Sequence, residues 1–214
     1  MITIHSFTFN PMMEQTYVLF DDTKEAVIID PGCHDPSEKN ELINFIAENE
    51  LKPQYVINTH GHIDHVLGNS FVKEHFGVPL IIGEKDVETL KAVEAYAPAY
   101  GFQTYQPAEP DILLKENESI EFGHSTLAHI FVPGHAPGHI AFYDETKAFI
   151  IGGDVLFNGS IGRTDLPGGD FDTLISSIHN QFFTFPDSTV VYPGHGEETT
   201  IGQEKMTNPF CAIR

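Results

Sequence analysis

Positive charge is scarce in this chain. Its 11 lysines and arginines face 31 aspartates and glutamates, a formal net charge of −20 over 214 residues. No basic stripe exists to follow a phosphate backbone, so nucleic acid is excluded as a partner, and an anionic membrane surface with it. No apolar run approaches the ~20 residues that a membrane span requires. The N-terminal segment Met1-Ile2-Thr3-Ile4-His5 lacks a basic region followed by a long apolar stretch. On that ground no secretory leader is expected, and the expected compartment is the cytoplasm. Cysteine is also scarce. Cys33 and Cys211 form neither a metal pattern nor a disulfide framework, and a small buried hydrophobe or idle thiol is the expectation for each. There are no repeats, low-complexity segments or linkers, and a hydrophobic content of 41% suits one well-filled domain spanning residues 1–214.

Histidine is what the chain does have, and it is clustered. Thr59-His60-Gly61-His62-Ile63-Asp64-His65 directly follows the apolar run Tyr55-Val56-Ile57. His60 and His62 alternate by two and so face the same way on extended backbone. Asp64 and His65 fall where a helix can begin, aimed at a second point nearby. Imidazole and carboxylate together suit zinc, iron or manganese. A His-rich polar surface loop is the alternative, but packing does not call for four such residues in succession.

Three further runs end in the same way. Ile130-Phe131-Val132 leads to Pro133-Gly134-His135-Ala136-Pro137-Gly138-His139. Ile150-Ile151-Gly152-Gly153 leads to Asp154. Val190-Val191-Tyr192-Pro193-Gly194 leads to His195. Each candidate ligand stands where a rigid strand hands over to a loop, beside Gly or Pro.

The remaining pattern is of short strands and helices in alternation. Strands are expected at Thr3–Phe9, Thr16–Phe20, Ala26–Ile29, Tyr55–Asn58, Leu80–Ile82, Ser119–Phe122, Thr126–Val132, Ile140–Tyr143, Ala148–Ile151 and Thr189–Tyr192. Asp21-Asp22-Thr23-Lys24 reads as a hairpin turn. Asp35, Pro36 and Glu38 form a capping box that opens a helix with Leu42, Ile43, Phe45 and Ile46 on its apolar face, and Pro53 closes that connection. Further helices are expected at Val66–Phe76, stopped by Gly77, at Glu84–Ala97, and at Phe171–Phe183. The stretch Ala97–Asp111 breaks the pattern with Pro98, Gly101, Pro107 and Pro110 and with the aromatics Tyr100, Phe102 and Tyr105, just after Tyr96. It reads either as a lid over a site or as a satellite hydrophobic cluster. This succession suggests a layered α/β architecture.

The order H-x-H-x-D-H, then His, Asp and His, resembles the metallo-β-lactamase superfamily. Phe157-Asn158-Gly159-Ser160-Ile161-Gly162-Arg163-Thr164-Asp165 and the tail from Thr200-Ile201-Gly202-Gln203-Glu204-Lys205 to Asn208-Pro209-Phe210 resemble the short bacterial glyoxalase II-like hydrolases. The similarity runs from about Thr16 to Phe210. The resemblance implies a four-layer αβ/βα sandwich holding two divalent metals, zinc foremost, with iron or manganese as alternatives. One metal would be held by His60, His62 and His135, and the other by Asp64, His65 and His195, with Asp154 as the bridge. Asp64 and Asp154 would then act in catalysis with a metal-bound hydroxide. Two ions about 3.5–4 Å apart acidify a shared water toward neutral pH and polarise a carbonyl.

The implied substrate is a small molecule, S-lactoylglutathione or a related acyl thioester. A mononuclear iron persulfide dioxygenase using His60, His135 and Asp154 is the alternative, as is a hydrolase of another ester or lactone. A β-lactamase is not expected, because those are typically exported. Arg163 stands where a basic residue, usually Lys, meets the glutathione carboxylate, so it is a substrate-binding candidate; a salt bridge to Asp165 or Asp170 is the other reading. His139 is expected to orient a ligand or the site loop, or else to be a packed histidine. The other six histidines show no partner pattern. The sequence runs 19 residues beyond His195, too few for the helical domain that gives full-length glyoxalase II further glutathione contacts. Oligomeric state is not readable from this pattern.

Overall fold

Continuous apolar runs such as Ala26-Val27-Ile28-Ile29 leave no polar face for water, so they must be covered on both sides. The computed structural model, which describes residues 1–116, 118–144, 146 and 148–213, places these runs at the centre of sheets. The chain forms two compact units. The first comprises Met1–Leu114 with Glu121–Ser125, and the second Lys115–Ile120 with Thr126–Arg214.

In the first unit the strands are β1 (Thr3–Phe9), β2 (Glu14–Phe20), β3 (Glu25–Ile29), β4 (Lys52–Asn58), β5 (Leu80–Gly83) and β6 (Ile112–Leu114), hydrogen-bonded in that order. β1, β2 and β3 are antiparallel neighbours, which short turns permit. From β3 to β6 the pairing is parallel, so each connection must cross over. The first crossover is helix α1 (Pro36–Glu48). Its expected capping box is present, with Asp35 accepting from Ser37 and Glu38 N–H while Glu38 accepts from Asp35 N–H. Leu42 and Ile46 pack into a core with Phe7, Val18, Ile28, Val56 and Leu80.

The turn at Asp21 is organised by that residue's carboxylate. The Asp21 carboxylate is buried and accepts from Thr23 N (2.9 Å), Thr23 Oγ (2.5 Å), His124 N (2.7 Å) and Ser125 Oγ (2.9 Å). Burial raises its pKa, but the Thr23, His124 and Ser125 hydrogen bonds outweigh burial and hold it at about 2. Because an unfolded aspartate titrates near 4, this stabilisation is complete above about pH 4 and is lost as pH falls through about 2. Asp21→Ala is expected to cost about 2–3 kcal/mol at neutral pH and to flatten the acid limb of stability between about pH 4 and 2. Urea titrations at pH 7 and pH 3 measure both; a variant as stable as the parent at pH 7 would refute this account.

Three expectations need correction here. The helix expected at Val66–Phe76 is two helices, α2 (Ile63–Val66) and α3 (Asn69–Phe76), with Gly77 as a left-handed cap at φ 65°. The break falls at Gly68, whose N–H donates to the Pro31 carbonyl (2.7 Å) and where a Cβ would lie 2.6 Å from Cys33 Sγ. The helix expected at Glu84–Ala97 begins with a single 3₁₀ turn, and α4 spans Val87–Tyr96. Pro53 does not lie between elements but within β4, opposite Ala26, where the ladder shifts register. Strand β6 was not expected. In the stretch Ala97–Asp111, Ala97 and Phe102 are buried with Ile63, Val66, Leu90 and Val93, which is the satellite cluster.

The second sheet comprises β7 (Ser119–Phe122), β8 (Ser125–Phe131), β9 (Ile140–Asp144), β10 (Phe149–Gly153), β13 (Val190–Pro193) and β14 (Thr199–Thr200), ordered β14-β13-β10-β9-β8-β7, and all of it but Glu121, Phe122 and Ser125 belongs to the second unit. A hairpin of β11 (Leu156–Phe157) and β12 (Ser160–Ile161) follows β10. β10 and β13 run parallel, and α5 (Phe171–Asn180) lies within the crossover between them. α6 (Ile201–Thr207) follows β14. The core gathers Val132, Ile150, Leu156, Leu174, Ile178, Phe182 and Val191. The helix expected to reach Phe183 ends at Asn180, and Phe182–Thr184 forms a 3₁₀ turn. The hairpin, β14 and α6 carried no hydrophobic period and were not expected. Among the described residues, no helix is long and apolar enough to cross a membrane.

Candidate metal centre

In the first unit β4 delivers the ligand loop. Val56, Ile57 and Asn58 are fully buried, and so are Thr59 and His60. Two buried carboxylates tie the loop down. Asp30, at the end of β3, accepts from Thr59 N (2.7 Å) and Thr59 Oγ (2.6 Å). Asp86 accepts from Gly61 N (2.5 Å). Gly61 is required at this point, because a Cβ would lie 2.4 Å from the Leu90 nitrogen. α2 begins at Ile63, so Asp64 and His65 stand in its first turn. Asn58 donates to the His65 carbonyl (3.2 Å) and exchanges amide bonds with Asn69, while Asn10 donates to the Asp64 carbonyl (3.0 Å).

Partner chemistry sets the histidine tautomers. A carboxylate only accepts, so His65 Nδ1, 3.1 Å from Asp30 Oδ2, carries the proton. The Thr59 hydroxyl spends its own proton on Asp30, so it accepts from His60 Nδ1 at 3.0 Å. Both rings therefore keep the lone pair on Nε2, the state a metal ligand needs. His60 lies 4.2 Å from His65 and 4.7 Å from His62, ring centre to ring centre. Asp64 Oδ2 is 3.8 Å from His65 Nε2. Behind His65 sits Glu14, fully buried, with Oε1 3.8 Å from His65 Nδ1. Burial pushes the Glu14 carboxyl well above the usual carboxylate range, against the pull of His65.

In the second unit the His135 loop is held from several sides. Ser177 Oγ of α5 donates to the Pro133 carbonyl (2.7 Å), and Asp170 N donates to the Gly134 carbonyl (2.8 Å). Gly134 has φ 129°, and a Cβ there would lie 2.3 Å from the Leu174 nitrogen. His135 Nδ1 is 2.8 Å from the Arg163 carbonyl, so Nδ1 carries the proton and Nε2 the lone pair. That Nε2 lies 3.4 Å from Asp154 Oδ2, and His195 Nε2 lies 3.5 Å from the same oxygen. His139 is fully buried, and its Nε2 accepts from Asp154 N at 3.0 Å. Gly162 closes against the other side of Asp154, where a Cβ would lie 2.0 Å from the Asp154 carbonyl oxygen.

These donors fit a divalent cation. Ligands at about 2.1 Å on a tetrahedron stand about 3.4 Å from one another. Asp154 Oδ2 meets that spacing toward two imidazole nitrogens. Carboxylate oxygen with imidazole nitrogen suits zinc, iron or manganese.

The Arg163 guanidinium makes a two-point pair with Asp165, Nε to Oδ1 at 2.7 Å and Nη2 to Oδ2 at 2.8 Å. The Arg163 hydrogen bond is the main cause holding the Asp165 carboxyl down at about 2. The other histidines lie apart from these donors. His5 stacks on Phe45, His34 meets the Phe102 edge, His75 lies beside Phe71 and Phe76, His124 lies near Asp22, His129 near Phe142, and His179 bonds the Cys211 carbonyl. Both cysteines are buried, with thiols pushed up to about 12, chiefly by burial.

The sequence reading missed Asp30, Asp86 and Glu14. Asp30 carried a usable signal, since it ends the apolar run Val27-Ile28-Ile29 beside Pro31-Gly32, as the candidate ligands end theirs. Asp86 and Glu14 carried none, because the partners that give them meaning are distant in the chain.

Comparison with known proteins agrees with this geometry. The model of the metallo-β-lactamase superfamily matches residues 10–195. The chain is 40% identical over 195 residues to the hydroxyacylglutathione hydrolase GloC of Haemophilus influenzae, covering 90% of each chain. Among solved structures, BLEG-1 B3 metallo-β-lactamase superposes with a TM-score of 0.89 at 37% identity, covering 99% of this chain and 100% of the other. TTHA1623 in a di-iron-bound form superposes with a TM-score of 0.85 at 35% identity, covering 96% and 99%. The chain belongs to the metallo-β-lactamase superfamily and has its fold, that of a metal-dependent hydrolase.

Proposed function

We propose that this protein is a binuclear thioester hydrolase of the glyoxalase II type, acting on S-lactoylglutathione or a related acyl thioester. The observation that carries the reading is the placement of Asp154 Oδ2 at 3.4 and 3.5 Å from the Nε2 atoms of His135 and His195. One oxygen spaced to two imidazoles in this way suits a bridging ligand. The 40% identity to a relative named hydroxyacylglutathione hydrolase supports the substrate class. In this reading His60, His62 and His135 would hold one metal, Asp64, His65 and His195 would hold the other, and Asp154 would serve both. Zinc is the first candidate, with iron and manganese as alternatives. When bound, such a pair acidifies water and polarises the thioester carbonyl.

The protein's own groups supply order. Asp30, Thr59 and the Arg163 carbonyl fix the imidazole tautomers, and His139 fixes the Asp154 backbone. Arg163 serves as the substrate anchor. Its pair with Asp165 is exposed, and such pairs are worth only about 0–1 kcal/mol, so a substrate carboxylate can replace Asp165 at little cost.

The test combines a metal count with a substrate panel. Protein purified without chelator is expected to hold two metals per chain and to prefer S-lactoylglutathione over a neutral thioester of the same acyl group. Arg163→Ala is expected to keep its metal but raise KM for the carboxylate-bearing thioester about ten- to a hundredfold, abolishing the preference. One iron per chain with oxygen uptake on a persulfide would replace this reading with the dioxygenase, and faster turnover of a β-lactam or lactone would replace the thioester. Equal loss on both thioesters in Arg163→Ala would leave Arg163 with a structural role only.

A further inference from the structure

The tail after His195 is organised around one buried carboxylate. Glu204, in α6, has no exposed surface. Its Oε1 accepts from Thr199 Oγ (2.5 Å) and Gln203 Nε2 (3.3 Å). Its Oε2 accepts from Gly159 N (3.1 Å) and Asn208 Nδ2 (2.7 Å). Asn208 Nδ2 also donates to the Ser160 carbonyl (3.0 Å), and Asn208 Oδ1 accepts from Phe210 N (3.0 Å). Two side chains of the tail thus grip Gly159, in the turn of the β11–β12 hairpin, and Ser160, the first residue of β12. A carboxylate suits this place because four donors converge on it and it has nothing but acceptor sites to offer.

The hairpin leads straight into the support of the candidate ligands. It is closed by the pairs Leu156↔Ile161 and Phe157↔Ser160, and Gly162 N then donates to the Val155 carbonyl (3.2 Å). At Gly162 the backbone lies so close to Asp154 that a Cβ would come 2.0 Å from its carbonyl oxygen and 3.2 Å from His135 Nδ1. The next carbonyl, that of Arg163, receives the His135 Nδ1 proton at 2.8 Å. The order of contact runs from Glu204 and Asn208 to Gly159 and Ser160, then to Gly162 and Arg163, then to Asp154 and His135.

We infer that Glu204 and Asn208 are positioning residues for the metal centre, setting through the hairpin how His135 and Asp154 meet the ion. This inference rests on the ligand roles proposed above for His135 and Asp154. It explains why the Gln203-Glu204 and Asn208-Pro209-Phe210 segment is more than a terminal brace. A displaced hairpin would move the Arg163 carbonyl and so turn the ring that it orients.

The test uses the full chain loaded with zinc or cobalt(II), comparing the parent with Glu204→Gln and Asn208→Ala. Glu204→Gln keeps the shape but turns an amide donor toward groups that themselves donate. Asn208→Ala leaves Glu204 in place and cuts the link to Ser160. Chelator competition is expected to show metal held about 10- to 100-fold more weakly in each, with an altered cobalt(II) absorption spectrum and an unchanged far-ultraviolet circular dichroism spectrum. Should Glu204→Gln fail to fold, Asn208→Ala decides. Parent-like chelator resistance and a parent-like cobalt spectrum, with only thermal stability lowered, would overturn the inference and leave the pair a brace. A parent that holds metal but hydrolyses no thioester would end the substrate reading while this result still stood, and a parent that holds no metal would end both.

Discussion

Asp154→Ala is expected to strip metal from both positions and to lower thioester hydrolysis by roughly 10³-fold or more. The Asp154 side chain is the group whose single oxygen is spaced to two imidazoles, at 3.4 and 3.5 Å. On the proposed ligand set, each ion would lose a ligand without it, and the site would lose a negative charge that offsets the cations. The several kcal/mol of transition-state stabilisation that such ions supply would go with them. Asp154→Asn separates charge from shape. It preserves the backbone N–H that donates to His139, so the loop stays in place, yet it binds a cation far less well than a carboxylate. Elemental analysis and steady-state rates on the two variants are the measurement. A full complement of metal with normal turnover in Asp154→Ala would remove Asp154 from the centre.

His195→Ala is expected to cost about 10²-fold in kcat while sparing the fold. Its side chain is 26% exposed and follows a strand end, so its removal leaves no large cavity in the core. The loss falls on one metal position, the one proposed to use Asp64 and His65. A hydrolase that needs both ions would keep about half its metal and little of its rate. An enzyme working through the other position alone would keep most of both. Thioester hydrolysis at the parent rate in His195→Ala would contradict the binuclear reading, and metal analysis on the same sample would show whether the second position had been emptied at all.

The candidate ligands were legible because their signal is local. His60, His62, Asp64, His65, His135, Asp154 and His195 each follow an apolar run within a few residues, and a strand end next to Gly or Pro is written in consecutive letters. The α1 capping box spans only Asp35 to Glu38, and Gly77 stops α3 by its own conformational freedom, so both could be read in advance. Helix boundaries set by distant partners could not. Gly68 breaks the expected helix because its N–H meets Pro31, and the turn before α4 places Asp86 against Gly61.

By itself the sequence determined where apolar runs end in candidate histidine and aspartate ligands, and it restricted the architecture to layered sheets and helices, because hydrophobic period and strand-end chemistry need no knowledge of distant contacts. Only the tertiary structure decided what holds those residues in working order. Asp30 reaches His65 across 35 positions, the Arg163 carbonyl reaches His135 across 28, and Glu204 reaches Gly159 across 45. The physical reason is that a buried polar group must find a partner of the opposite kind wherever the fold brings one, and nothing in the letters on either side of a carboxylate or a carbonyl says which distant N–H that will be.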